Sequence, residues 1–143
     1  MRIRKSFEQA ICILLLIGTN EGPLKSHELS KKLDVSDSYL KKVTRQLVVA
    51  GLITSKASKL GGFILNKEMN DISFLDIFEA IEGKETFIET THLVDKVFDP
   101  ALNLHRTEDI IMNHLNAAEE QYKQKLKEIN LGEITNYVHQ NTI

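Results

Sequence analysis

The chain has 143 residues, 42% of them apolar and 27% charged, with a net charge of -2. That composition excludes a disordered polyelectrolyte, and the length excludes two large lobes; one compact domain with an appendage fits. The small net charge conceals a division, because residues 1–67 carry twelve basic and five acidic side chains (+7) and residues 68–143 carry six and fifteen (-9). A basic half beside an acidic half suits a protein of which one part meets a polyanion while the other is repelled by it.

The single cysteine, Cys12, excludes an intramolecular disulfide and a four-thiolate metal site and suits a reducing cytoplasm. Arg2, Arg4 and Lys5 before the apolar run Ala10 to Ile17 imitate a secretory signal. Glu8 and Gln9 intervene, no small-x-small cleavage pattern follows, and the run is far short of the roughly 20 residues that span a bilayer. The expectation is a buried helix over residues 7–19 and no membrane partner. Gly22-Pro23 closes the connection after it.

Ser26 is read as the cap of a second helix with core residues Leu29 and Leu33, ending near Asp34. Ser36 is read as the cap of a third, Asp37 to about Ala50, in which Leu40, Val43 and Leu47 face the core. Ser38, Tyr39, Lys41, Lys42, Arg45 and Gln46 are expected on its exposed side, and Gly51 at its left-handed end. The period then changes to that of a β-hairpin: Leu52 to Lys56, a tip from Ala57 to Gly61, and a return over Gly62 to Asn66. Ser73 caps a short helix, Phe74 to Glu82, with Asp76 at its third position, Gly83 past its end, and Phe74, Ile77, Phe78 and Ile81 on its apolar face.

Residues 84–106, with Pro100 among them, show no strong period. From Thr107 to about Ile129 a long polar helix carries Ile111, Leu115, Ala118, Tyr122, Leu126 and Ile129 at spacings of three and four. So narrow a seam predicts a helix that pairs with a second copy, giving a homodimer. Gly132 is expected to break it, with Leu131, Ile134 and Val138 in a short closing helix. The fold class is therefore mainly α with a small β-hairpin wing: a winged helix-turn-helix over residues 1–83, then an effector-region linker, a long dimerisation helix and a closing helix over 84–143.

Two short helices and a basic hairpin, in that order, match the needs of a reader of double-stranded DNA. A major groove about 12 Å wide admits one helix, whose first turn reaches base edges while later lysines and arginines meet phosphates. The candidate DNA-binding residues are Ser26, Ser36, Ser38, Tyr39, Lys41, Lys42 and Arg45, with Lys56, Lys59, Gly61 and Gly62 of the hairpin.

The segments Tyr39-Leu40-Lys41-Lys42 to Leu47, Ala50-Gly51-Leu52-Ile53, Gly61-Gly62-Phe63-Ile64-Leu65, Ile72-Ser73-Phe74-Leu75-Asp76-Ile77 and Ala80-Ile81-Glu82-Gly83 resemble the Rrf-two family of bacterial winged helix-turn-helix regulators. The resemblance is dense over about residues 7–83 and returns at Ile129-Asn130-Leu131-Gly132-Glu133-Ile134. It implies a dimer in which the long helices pair and each winged-helix unit reads half of an inverted repeat; the expected function is that of a DNA-binding transcription regulator, a repressor, with activation the other sign open to it. Two departures matter. Cluster-binding relatives hold an iron-sulfur cluster on three cysteines before the long helix, and Gly83 to Thr107 contains none, so no cofactor is expected. Many relatives also carry an arginine and a glycine ahead of the Gly-Gly pair, where this chain has Ala57-Ser58. A minor-groove role for that arginine does not transfer; Lys56 and Lys59 are left to contact phosphate.

Cys12, among Ile11, Ile13 and Leu14, is read as a buried core thiol rather than an oxidant sensor. Glu89-x-x-His92 has helical spacing for a metal pair and His105 is near in sequence, but no second Cys or tight His pair supports them, so no metal ligands are assigned. No phosphate loop, nucleophile elbow or metalloprotease helix is present, and acidic pairs such as Glu119-Glu120 read as a solvated face, so no enzymatic activity is expected. The alternative function is an adaptor that uses the winged helix to bind protein without sequence-specific DNA binding.

Overall fold

The computed structural model describes residues 3–57, 59–102 and 105–141, apart from the side chains of Pro100 and His105. Arg2, Ser58 of the hairpin tip, and the His105 side chain therefore lie outside the described residues. The chain divides into two compact units, one formed by Met1–Gly83 with Leu126–Ile143 and the other by Lys84–Lys125.

The first unit begins with α1 (Lys5–Thr19), which buries Phe7, Ala10, Ile13, Leu14 and Ile17. The Phe7 ring meets Phe74 and Phe78 edge-on at 6.4 and 5.8 Å, each such pair adding about 0.5–1.5 kcal/mol beyond its buried area. Next comes α2 (Ser26–Leu33), whose N-cap is Lys25; Ser26, expected as the cap, is the first helical residue. The Glu28 carboxylate accepts the Lys25 amide at 2.8 Å, the part that the third residue plays in a capping box, whereas the Ser26 hydroxyl caps no amide. Asp34 ends α2 in the left-handed conformation.

Then α3 (Asp37–Val49) starts at Ser36, whose hydroxyl accepts the Tyr39 amide at 3.2 Å, and buries Leu40, Val43, Thr44 and Leu47. Gly51, at φ 77°, reverses the chain after it, as expected. The hairpin pairs β1 (Ile53–Lys56) with β2 (Gly62–Leu65) antiparallel, Ile53 opposite Leu65 and Lys56 opposite Gly62. Phe63 of β2 also exchanges both backbone hydrogen bonds with Leu24, at 2.7 and 3.1 Å, tying the wing to the segment before α2.

Helix α4 (Phe74–Glu82) opens on the expected reciprocal cap: Asp76 N–H donates to the Ser73 hydroxyl at 3.1 Å, and Ser73 N–H to the Asp76 carboxylate at 2.9 Å. It buries Ile77, Phe78 and Ile81, while Phe74 is half-buried.

The closing helix α7 (Leu131–Asn141) belongs to this same unit, although the sequence grouped it with the long helix. Its entry is sewn to α4: Phe74 N–H donates to the Ile129 carbonyl at 2.8 Å, and Leu131 N–H to that of Ile72 at 3.0 Å. Gly132, expected as a helix breaker, lies inside α7, where an added Cβ would collide with the Asn70 side chain. These elements form a winged helix-turn-helix, with α2 and α3 as its two helices and β1–β2 as its wing.

The second unit holds the short helix α5 (Leu93–Val97), unforeseen in the stretch without a period, and most of the long helix α6 (His105–Lys127). Its first segment is anchored to α6 through Glu119. That carboxylate accepts the Thr86 hydroxyl at 2.6 Å and the Phe87 amide at 2.8 Å, and lies 3.4 Å from Lys123 Nζ. The Phe87 ring meets Tyr122 edge-on at 6.0 Å. Glu119 is 7% exposed, so the solvated face expected for Glu119-Glu120 holds for Glu120 alone.

Candidate nucleic-acid interface

The geometry of α3 depends on the turn before it. Buried Ser30, on α2, donates its hydroxyl to the Asp37 carboxylate at 2.5 Å, and Val35 N–H donates to the Ser30 carbonyl at 3.1 Å. The first turn of α3 is thus fixed against α2 by a charge-assisted hydrogen bond seven residues in span.

With Leu40, Val43 and Leu47 buried, Ser38, Lys41, Lys42 and Arg45 are all exposed on the other side of α3. Tyr39 and Gln46 depart from the expectation of an exposed side. Both are half-buried, and the Gln46 amide reaches back to the Ile81 carbonyl at 3.5 Å. Ser36 stands exposed beside Ser38, their hydroxyls 3.3 Å apart, but its oxygen is engaged in capping. Ser26 is half-buried in the first turn of α2.

In the wing, Lys56 and Lys59 are exposed. The Gly61-Gly62 pair is not the open tip that the sequence suggested: Gly61 is buried. Gly62, at φ 147°, lies so close to Leu24 that an added Cβ would stand 2.6 Å from its backbone carbonyl. Its lack of a side chain thus serves the approach of β2 to Leu24. Leu60, 84% exposed, was missed by the sequence reading; a leucine between lysine and Gly-Gly, outside any period, was the available signal.

The expected pairing seam on α6 is divided. Ile111 and Leu115 are exposed at 47% and 44%, Ala118 is exposed, and Tyr122 is half-buried. Leu126 is buried within the chain itself, and Ile129 lies beyond the helix, held by its carbonyl to Phe74. Leu126 therefore offers no surface to a second copy, and Ile129 is half-buried. The Ile111 and Leu115 side chains also line a cleft of about 330 Å³ with residues of α5.

Cys12 is exposed rather than buried. Partial desolvation, with the negative charge of Glu8 one turn earlier, raises its pKa, so the thiolate is still disfavoured. Glu89 lines the cleft, whereas His92 meets Glu108, its Nδ1 2.9 Å from Oε1. No helix among the described residues is long and apolar enough to cross a membrane.

Among known proteins, the chain is 41% identical over 96 residues to YffB of Lactococcus lactis, covering 66% of this chain and 62% of that protein. It is 39% identical over 101 residues to YwgB of Bacillus subtilis, covering 69% and 65%. Both are named as candidate HTH-type transcriptional regulators, and the matches span somewhat under two thirds of those relatives' lengths. In fold it is similar to CymR, the global cysteine regulator of B. subtilis, with TM-score 0.68 and 22% identity over 96% of this chain and 98% of that one. It is also similar to IscR of T. potens, with TM-score 0.71 and 20% identity over 100% and 92%. The winged-helix fold is thereby shown.

A match over residues 3–137 is to Rrf2, a family described as iron-dependent transcriptional regulators. An iron-sulfur cluster does not fit the donors present. Clusters are held mainly by thiolates, the sole one available is Cys12 on α1, and its protonated form is favoured. With a match that runs nearly the whole length of the sequence, and with the α3 face, the wing and the fold in agreement, the chain belongs to the Rrf2 family.

Proposed function

We propose that the chain is a DNA-binding transcription regulator, a repressor that binds an inverted-repeat operator as a homodimer. The observation that carries this reading is the row Ser38, Lys41, Lys42 and Arg45, all exposed along α3 opposite its buried face. In this reading Ser38, in the first turn, meets base edges when α3 enters the major groove, with Tyr39 beside it. Lys42 and Arg45, further along, and Lys56 and Lys59 of the wing then meet phosphates. The excess of basic side chains over residues 1–67 favours the approach of this half to DNA.

The exposed apolar side chains of Ile111 and Leu115 support pairing through the N-terminal part of α6. Two copies would present two α3 helices to half-sites about one DNA turn, roughly 34 Å, apart. In this reading residues 84–125 carry pairing and sensing, while residues 1–83, completed by α7, hold DNA. Repression follows when the dimer occupies a promoter. The test is selection of bound fragments from bacterial genomic DNA by the purified protein. Recovered fragments should share a palindromic element upstream of genes; recovery of random sequence, or of none, would overturn the reading.

A further inference from the structure

We propose a mononuclear site for a divalent first-row transition cation on His92, Asp95 and Glu108. It is independent of the DNA-binding reading, because it concerns what the second unit takes up on its own.

These three side chains each offer one donor atom, and the three atoms lie within 4.8 Å of one another. They come from separate places in the chain: His92 immediately before α5, Asp95 in its first turn, and Glu108 in the first turn of α6. The Glu89-x-x-His92 spacing did not reveal this set, since the partner of His92 is sixteen residues away. His92 Nδ1 and Glu108 Oε1 are 2.9 Å apart. Metal–ligand bonds of about 2.1 Å place adjacent ligands of a six-coordinate ion about 3 Å apart, the separation that these two atoms already have. Asp95, whose carboxylate lies within 4.8 Å of both, completes one face by a shift of up to about 2 Å.

The surroundings hold the donors as an ion would require. The Glu108 side chain is 14% exposed, and the Thr90 hydroxyl donates to its Oε1 at 2.8 Å. The His92 amide donates to that same hydroxyl at 3.1 Å. One threonine therefore orients two of the three ligands, the role that outer-shell partners play in metal sites. Glu108 also lines the apolar cleft of about 330 Å³, alongside Val94, Phe98, Met112 and Leu115. The ion would sit at the rim of this cleft with ligand positions open.

One imidazole and two carboxylates set the class of ion. All-oxygen sites suit magnesium and calcium, whereas an imidazole with carboxylates selects manganese, iron, cobalt and zinc in the divalent state. Three protein ligands leave exchangeable positions, as a site that samples ion concentration needs.

The test titrates Co²⁺ into the metal-free full-length protein, reading its visible absorption, with Zn²⁺ as competitor. The expected result is saturation at one Co²⁺ per chain, with displacement by Zn²⁺. His92→Ala and Asp95→Asn should each lower affinity by tenfold or more, and Glu89→Gln should leave it unchanged. Asp95→Asn keeps the size of an exposed side chain while weakening it as a ligand, and circular dichroism checks that both variants fold. No saturable uptake by the unsubstituted chain would overturn the proposal. So would affinity unchanged in the folded His92→Ala and Asp95→Asn proteins, which would mark binding at scattered surface histidines.

Discussion

The Ser30 hydroxyl donates to the Asp37 carboxylate at 2.5 Å across the turn between α2 and α3, and this bond sets the first turn of the helix that carries Ser38, Lys41, Lys42 and Arg45. Ser30 is 6% exposed, so the bond is partly shielded from water. Ser30→Ala should cost about 1.5–3 kcal/mol, as expected for a hydrogen bond to a charged group. Urea denaturation gives the number. A variant whose midpoint matches that of the unsubstituted protein would show that the Ser30 hydroxyl does not hold the α2–α3 turn.

Glu119 makes the anchoring of residues 86–87 dependent on pH. Burial by itself pushes its carboxyl up, but the hydrogen bonds from Thr86 and Phe87 and the charge of Lys123 outweigh it, and the carboxyl is held below its usual value. A depressed pKa means that the stabilisation is complete above the unfolded value and is lost as pH falls through the folded one. The Phe87 amide resonance, followed by NMR from neutral to acid pH, should shift with a midpoint below the ordinary 4.5. In Glu119→Gln that transition should vanish. A midpoint at or above 4.5 would contradict the account.

Pairing through α6 predicts different failures along one helix. Ile111→Lys with Leu115→Lys places charges on exposed apolar positions, so the protein should stay folded and sediment as a monomer. Leu126→Lys instead puts a charge where the chain buries a leucine, and should lower thermal stability. An unchanged dimer in the double variant would remove this part of α6 from the interface.

Where the sequence was informative, the signal was local. Ser36 and Ser73 were legible as caps because a hydroxyl and the amide it accepts are neighbours in the chain. Leu40, Val43 and Leu47 were legible because helical period and burial agree. What escaped was decided by contacts distant in sequence. Gly61-Gly62 read as an open tip because nothing in the local sequence reveals that Leu24 lies against β2. Leu126 read as part of a pairing seam because its spacing cannot say whether the chain or a second copy covers it. Glu119 read as solvated because its partners, Thr86 and Phe87, lie over thirty residues earlier. Cys12 read as buried from apolar neighbours, yet on a helix adjacent residues face different directions.

The central claim, that α3 reads DNA while the lysines and arginine position it, is tested most directly by affinity against salt concentration. Selected operator and scrambled duplexes would be compared for Ser38→Ala, Lys42→Ala and Arg45→Ala. Lys42→Ala and Arg45→Ala should weaken both duplexes alike and reduce the slope of log affinity against log salt by about one unit per lost contact in each half-site. Ser38→Ala should leave that slope nearly unchanged and lower discrimination between duplexes, by about 1–3 kcal/mol for a lost base contact. A full salt slope in Lys42→Ala and Arg45→Ala, with equal losses on both duplexes in Ser38→Ala, would contradict this docking of α3.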